Sequence, residues 1–134
     1  MAWTMRNSLA WGLATALLLC SSARAAEWVK MASNKTQTHY LDTESIRMID
    51  RDKIEVWLKI LRSQPAPSEL GGNPVSYTLA LGVFRRDRRY LTIEAHCYDV
   101  NRQFIGSLDV SKWGLINITP NTAYDHTYRY LFGK

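Results

Sequence analysis

The chain has 134 residues, with 17 Lys and Arg against 12 Asp and Glu, a formal net charge of +5 and 46% hydrophobic residues. That length supports one domain with one core and excludes two. A mild basic excess aids solubility and favours acidic partners, but it falls short of the clustered positive field of a nucleic-acid binder, so nucleic acid is set aside as a partner.

Residues 1–25 read as a cleaved secretory signal peptide. Arg6 is the only charge at the start, an apolar run extends from Leu9 to Cys20, and Ala23-Arg24-Ala25 forms a small-residue exit. The apolar run covers 12 residues, against the ~20 that a helix needs to cross a bilayer, so a retained anchor fits less well and no transmembrane segment is expected in the mature chain. Lipoprotein processing at Cys20 is the alternative, but Leu19 stands where that cleavage needs a small side chain. Cleavage after Ala25 is favoured, leaving residues 26–134 as one exported domain, periplasmic or secreted rather than a cell-surface lipoprotein. The basic count then falls from 17 to 15 against 12 acids, and the net charge from +5 to +3. Cys20 leaves with the signal, so Cys97 stands alone and no internal disulfide is possible.

The mature region alternates with period two, which predicts mostly antiparallel strands. Strand one runs from Trp28 to Met31, a Ser33-Asn34-Lys35 turn follows, and strand two passes through Thr38 to Leu41. Asp42-Thr43-Glu44-Ser45 offers two N-caps for a short helical turn carrying Ile46. Met48 to Lys53 is read as a hairpin turn in which Asp50 and Asp52 do aspartate's turn chemistry. In the third strand Ile54, Val56, Leu58 and Ile60 face one way, and Glu55, Trp57, Lys59 and Leu61 the other. The outward Trp57 and Leu61 suggest that this second face is also partly covered.

Ser63 to Pro74 holds three of the chain's four prolines and Gly71-Gly72, so it is read as a loop. Tyr77, Leu79, Leu81 and Val83 alternate into a fourth strand, and Arg86-Asp87 turns the chain into a fifth. There Leu91, Ile93, Ala95 and Cys97 are expected to share one face, with Cys97 a small buried residue rather than a reactive thiol. A turn around Asn101 leads to Phe104 to Leu108 as a sixth strand. The C-terminal end changes period: Thr122 and Asp125 resemble a capping box, Tyr124, Tyr128 and Leu131 recur at helical spacing, and Gly133 stands where a helix stops. A helix of about ten residues is marginal alone in water, so its aromatic stripe must pack on the sheet, and the face bearing Trp57 is the natural candidate. The fold class is therefore α+β, mainly β: one antiparallel sheet of about six strands with a C-terminal helix on one face.

Motifs for chemistry are absent. His39, His96 and His126 are far apart and no two have metal-ligand spacing on one element. There is no nucleophile elbow, cysteine-protease signature or phosphate-binding loop, so no catalytic residue, cofactor or metal is implied and a non-enzymatic role is expected. The one concentrated charge feature is Arg85, Arg86, Arg88 and Arg89 around Asp87. Arginine's planar fork suits carboxylate, sulfate or phosphate groups, so the cluster could engage an acidic protein surface, a glycan or lipid headgroups. The other reading is a solvated turn whose charges keep strand ends from edge pairing. Replacing all four with serine is expected to weaken binding to an acidic partner without unfolding the domain.

The run Trp28-Val29-Lys30, then Tyr40 to Ile46, then Ile54 to Leu58, resembles the opening of the surface-adhesin protein E family of bacterial exported domains. So do Arg88-Arg89-Tyr90, the hairpin from Tyr98-Asp99 to Phe104-Ile105, and Trp113 followed by Ile118-Thr119-Pro120 ahead of a terminal helix. The resemblance implies a six-stranded antiparallel sheet crossed by the C-terminal helix, and an adhesin-like module that binds a macromolecule outside the cytoplasm and can form a homodimer. Family members commonly carry a cysteine where Arg85 stands and another near Leu131 to Lys134. The bridge that the resemblance implies is missing here, so Tyr124, Tyr128 and Leu131 must hold the helix by packing. The alternatives to adhesion are a periplasmic structural or assembly component that pairs through a sheet edge, and a carrier of a small ligand between helix and sheet.

Overall fold

The computed structural model describes residues 25–133, so the signal-peptide reading lies, but for Ala25, outside the described residues. Eight strands form one antiparallel sheet: β1 Trp28–Ser33, β2 Gln37–Asp42, β3 Arg47–Asp50, β4 Lys53–Ala66, β5 Val75–Arg85, β6 Arg89–Tyr98, β7 Phe104–Ser107 and β8 Leu115–Asn117. Six of them make the continuous path β1-β2-β4-β5-β6-β7, while β3 pairs with the start of β4 and β8 with the start of β6. One α-helix, α1 Ala123–Phe132, follows. The fold is thus mainly β with one antiparallel sheet and a C-terminal helix, as the alternation predicts; two short strands join the expected six.

Short polar side chains close the turns because their oxygens reach backbone N–H groups a few residues ahead. Asn34 Oδ1 accepts from the N–H of Thr36 and of Gln37, both at 2.9 Å. Asp50 Oδ1 accepts from Asp52 N–H at 2.8 Å, and Asp99 Oδ1 from Asn101 and Gln103 N–H at 2.9 Å. Asp42 caps the 3-10 turn Thr43–Ser45 by accepting from Glu44 N–H at 3.1 Å.

Two loop assignments change. Arg47–Asp50 is the strand β3, exposed along its whole length, so only Arg51 and Asp52 turn. β4 continues through Pro65 to Ala66, where it pairs again with Val75 after an irregular stretch. Proline is tolerated there because its missing N–H falls where the ladder to β5 is interrupted.

Cross-strand partners share a face, so the register sorts the side chains. On one face Val56 lies opposite Gly82 and Gly82 opposite Thr92; the next row is Leu41, Leu58, Ala80 and Ala95. This face holds the core of Leu41, Val56, Leu58, Phe84, Tyr90, Ile118 and Tyr128. In β6 the expected run of Leu91, Ile93, Ala95 and Cys97 on one face is broken. Leu81 opposes Glu94 while Gly82 opposes Thr92, so Ile93 is an unpaired bulge residue, 45% exposed. An extra residue shifts the pleat by one position, so before the bulge Tyr90 and Thr92 point into the core, and after it Ala95 and Cys97. Cys97 is buried as expected, at 2% exposure.

Helix α1 starts at Thr122, whose side chain accepts from Asp125 N–H, and ends at Gly133, in the left-handed region at φ 79° with its N–H donating to Arg129 O. Tyr124, Tyr128, Leu131 and Phe132 pack on the Val56 core. The helix therefore covers the face opposite Trp57, a correction to the expected placement. Tyr90 explains why: paired with Phe84 in the ladder, its ring reaches over the side-chain-free Gly82 and packs between Phe84, at a centroid distance of 4.8 Å, and Tyr124, at 4.7 Å, and makes the seat for the helix.

Candidate functional site

The four arginines of the β5–β6 turn are brought together in sequence but divided in space. Arg85 and Arg89 oppose each other in the ladder, with Lys53 beside Arg85, and both donate to Asp87 Oδ2, at 2.8 and 2.6 Å. The Arg89 hydrogen bond is the main cause that holds the Asp87 carboxyl below its usual range. By alternation Lys53, Arg85 and Arg89 belong to the face of Glu55, Trp57 and Lys59.

Arg86 and Arg88 serve the helix instead. Arg86 donates to Arg51 O at 2.9 Å, lies 3.4 Å from Asp52 Oδ1 and stacks over Phe132 at 4.8 Å. Arg88, at φ 63°, pairs with Asp125 and lies 4.7 Å over the ring of Tyr128, whose hydroxyl donates to Arg86 O at 2.7 Å. Asp125 is fully buried; it also accepts from Asn121 N–H at 2.9 Å and faces Arg129 at 3.2 Å. The Asn121 hydrogen bond, then the two guanidiniums, hold its carboxyl below the usual range against the opposing effect of burial. These contacts tie the helix to the β5–β6 turn without a covalent link among the described residues. Replacing all four arginines would therefore loosen the helix as well as strip charge, and only Arg85 and Arg89 remain for an outside partner.

The larger feature is the face that the helix leaves open. Its rows are Lys30, Tyr40, Lys59, Leu79, His96 and Ser107, then Thr38, Leu61, Tyr77, Tyr98 and Phe104, with Trp57 and Leu81 in the row beside them. The rings form a continuous belt. Tyr77 and Tyr98 stack at 4.9 Å with planes 5° apart, Tyr98 meets Phe104 edge-on at 5.7 Å, Phe104 reaches His96 at 6.2 Å, and His96 reaches Trp57 at 6.0 Å. On the other side of Tyr77, the Lys59 ammonium lies 5.0 Å from that ring and 5.9 Å from the rings of both Tyr40 and Trp28. Most of these side chains are half-buried, and Phe104 is 59% exposed. His96 is fixed by hydrogen bonds to Glu94 Oε2 at 2.9 Å and Ser107 Oγ at 2.7 Å.

Charge on this face is unevenly matched. Glu55 pairs with Arg47, Asp87 with Arg85 and Arg89, and Glu94 meets His96, whereas Lys30, Lys53 and Lys59 have no ion pair among the described residues. His39 lies on the other face, edge-on to Tyr124 at 5.9 Å, and burial lowers its pKa. His126 is exposed on α1. Among the described residues no three His, Cys, Asp or Glu side chains converge to hold a metal, and no helix is long and apolar enough to cross a membrane.

The belt was half legible in the sequence: the alternation separates Trp57, Lys59 and Leu61 from the core positions of β4. What it omits is which face the helix takes, and with it the fact that these rings are open to a partner. Compared with known proteins, the chain matches no family model and no curated protein.

Proposed function

We propose that this is an exported, non-enzymatic binding module, adhesin-like as the sequence resemblance implies, that recognises an acidic macromolecular partner outside the cytoplasm through the open face of its sheet. The observation that carries this reading is that face itself: a continuous aromatic belt interleaved with unpaired lysines, on the side of the sheet away from the only α-helix among the described residues. A contiguous row of partly exposed rings, with lysines that no described carboxylate pairs, is what binding surfaces carry. Arg85, Arg89 and Lys53 extend the basic character to the far end of the same face.

Pairing through a sheet edge is supported less. The path ends in two edges: β1, with six residues and a register shift between Lys30 and Ala32, and β7, with four residues and a shifted register against β6. A short, bulged edge is a poor template for another strand.

The test is retention of the exported protein, expressed from its full chain, on immobilised anionic polymers and on neutral ones at low and high salt. Retention on the anionic supports alone, lost at high salt and reduced by joint replacement of Lys59, Arg85 and Arg89 with serine, is the expected result. Equal retention of the wild type and this variant would remove the face from consideration.

A further inference from the structure

Resting on that reading, we infer that the open face takes a chain of acidic sugars, with Lys59 as the anchor for one carboxylate and the flanking rings as the stacking floor. The first support is the setting of Lys59. Three rings wall its ammonium, at 5.0, 5.9 and 5.9 Å, and no described carboxylate pairs with it. Ring faces hold a cation in place electrostatically while leaving its remaining N–H groups free to donate. The site is thus a positioned cation set among flat apolar surfaces. An acidic pyranose has the matching parts: one carboxylate, and a ring whose C–H faces are apolar while its hydroxyls point outward to water.

The second support is extent. From Lys59 to Lys53 is six residues along β4, about 20 Å at the rise of a strand. The row of Lys53, Arg85 and Arg89, net positive with Asp87 shared between the two arginines, therefore gives a second basic position far beyond the reach of a small ligand. A polymer with a repeated negative charge spans both positions.

The third support separates sugars from peptides and from a second copy. An extended peptide gains its affinity by adding to a strand edge, where backbone N–H and C=O groups are free. On this face the backbones of β4, β5 and β6 are already paired on both sides, so a peptide laid here loses water from its amides and gains no ladder. A second copy docked by the same patch would set Lys30, Lys53 and Lys59 against a surface bearing the same unpaired cations, because a two-fold interface is self-complementary. Sugar hydroxyls need no such partners, since they keep their water on the outward side.

The probes are alginate, a polyuronate; dextran, a neutral polysaccharide; and poly-L-glutamate, an acidic polypeptide. Binding is followed by tryptophan fluorescence and by NMR shifts of the Leu79 and Leu81 methyl groups. Salt-sensitive binding of alginate alone, with those methyl groups shifted, is expected. Lys59→Met keeps the length of the side chain and its packing, and should weaken alginate binding by about tenfold or more, the loss of one charge-assisted hydrogen bond. Phe104→Ser, at an exposed position, should weaken it without lowering the melting temperature. Equal binding of poly-L-glutamate with the same methyl shifts overturns the sugar while the acidic-partner reading survives. Shifts elsewhere on the molecule, or no binding of alginate, overturn the inference. Self-association that shifts Leu79 and Leu81, with neither polymer bound, overturns both it and the reading beneath it.

Discussion

Gly82 and Tyr90 set the seat of the helix, and Gly82→Ala puts that arrangement to the sharpest test. A Cβ at residue 82 would lie 2.3 Å from Tyr90 Cε2, 2.4 Å from its Oη and 2.6 Å from its Cζ. The ring has no room to yield, since Phe84 and Tyr124 flank it at 4.8 and 4.7 Å and Tyr90 is only 2% exposed. Either β5 and β6 bulge apart, at an overpacking cost of ~1–3 kcal/mol, or the ring is expelled and forfeits burial worth ~1.5–3 kcal/mol. Together the routes span roughly 1–3 kcal/mol, a large share of the ~5–15 kcal/mol that holds a domain together. For a chain of this size that is a fall of about 5–20 °C in melting temperature, read by thermal circular dichroism. The second arm is Tyr90→Leu, alone and in the Gly82→Ala background. Since the smaller side chain removes the collision, the double variant should be more stable than the sum of the two single losses by more than ~1 kcal/mol. A Gly82→Ala protein that melts within about 3 °C of wild type, or a strictly additive pair, would falsify this account of the seat.

Three further outcomes follow from the same contacts. The buried Tyr90 hydroxyl makes no hydrogen bond of good geometry among the described residues and has the Thr92 side chain beside it, so Tyr90→Phe should leave the melting temperature unchanged or raise it slightly, because removing a poorly satisfied group is not penalised; a clear fall would show that Thr92 is a full partner. Arg88→Ser should lower the melting temperature, since it strips the buried Asp125 of a partner and uncovers Tyr128, whereas Arg85→Ser with Arg89→Ser should not; equal effects would mean that the turn is not divided as described. Acid should act in two steps. His39 has a depressed folded pKa, so its contribution to stability is complete above the ordinary ~6.5 and is lost as pH falls below it. Asp125, Asp99 and Asp87 are also depressed, so their contributions persist to about pH 4 and are lost further down. His39→Gln should abolish the first step in a series of melts against pH and leave the second; a first step that survives the substitution would assign it elsewhere.

Much of the fold was legible because its signals are local. The alternation of Ile54, Val56 and Leu58 needs only a two-residue period, and the Thr122 cap and the Gly133 stop need only neighbouring backbone groups. The errors fall where a distant partner decides. Ile93 is placed by a bulge that becomes visible only when β6 is laid against β5. Arg47–Asp50 is wholly exposed and has no buried face to betray it as a strand, so only pairing with β4 defines it. The arginine turn reads as one cluster in the chain, yet Arg86 and Arg88 answer to Phe132 and Asp125, which lie far along the sequence.

The choice of face for the helix has the same origin, and it decides the function proposed. Both faces of β4 carry large apolar side chains, Val56 and Leu58 on one and Trp57 and Leu61 on the other, so hydrophobicity alone does not rank them. The facing strands do. On the Val56 side β5 and β6 contribute Gly82, Ala80, Thr92 and Ala95, small residues that leave a trough deep enough for the Tyr90 ring and the stripe of Tyr124 and Tyr128. On the Trp57 side they contribute Leu81, Leu79, Tyr77, His96 and Tyr98, large side chains that pack on one another across the strands and take up the space a helix would need. Small residues make an interior and large ones a platform, so the same register that draws the terminal helix to one face leaves the aromatic belt, Lys59 and the row ending at Arg85 and Arg89 free for a partner from outside the chain.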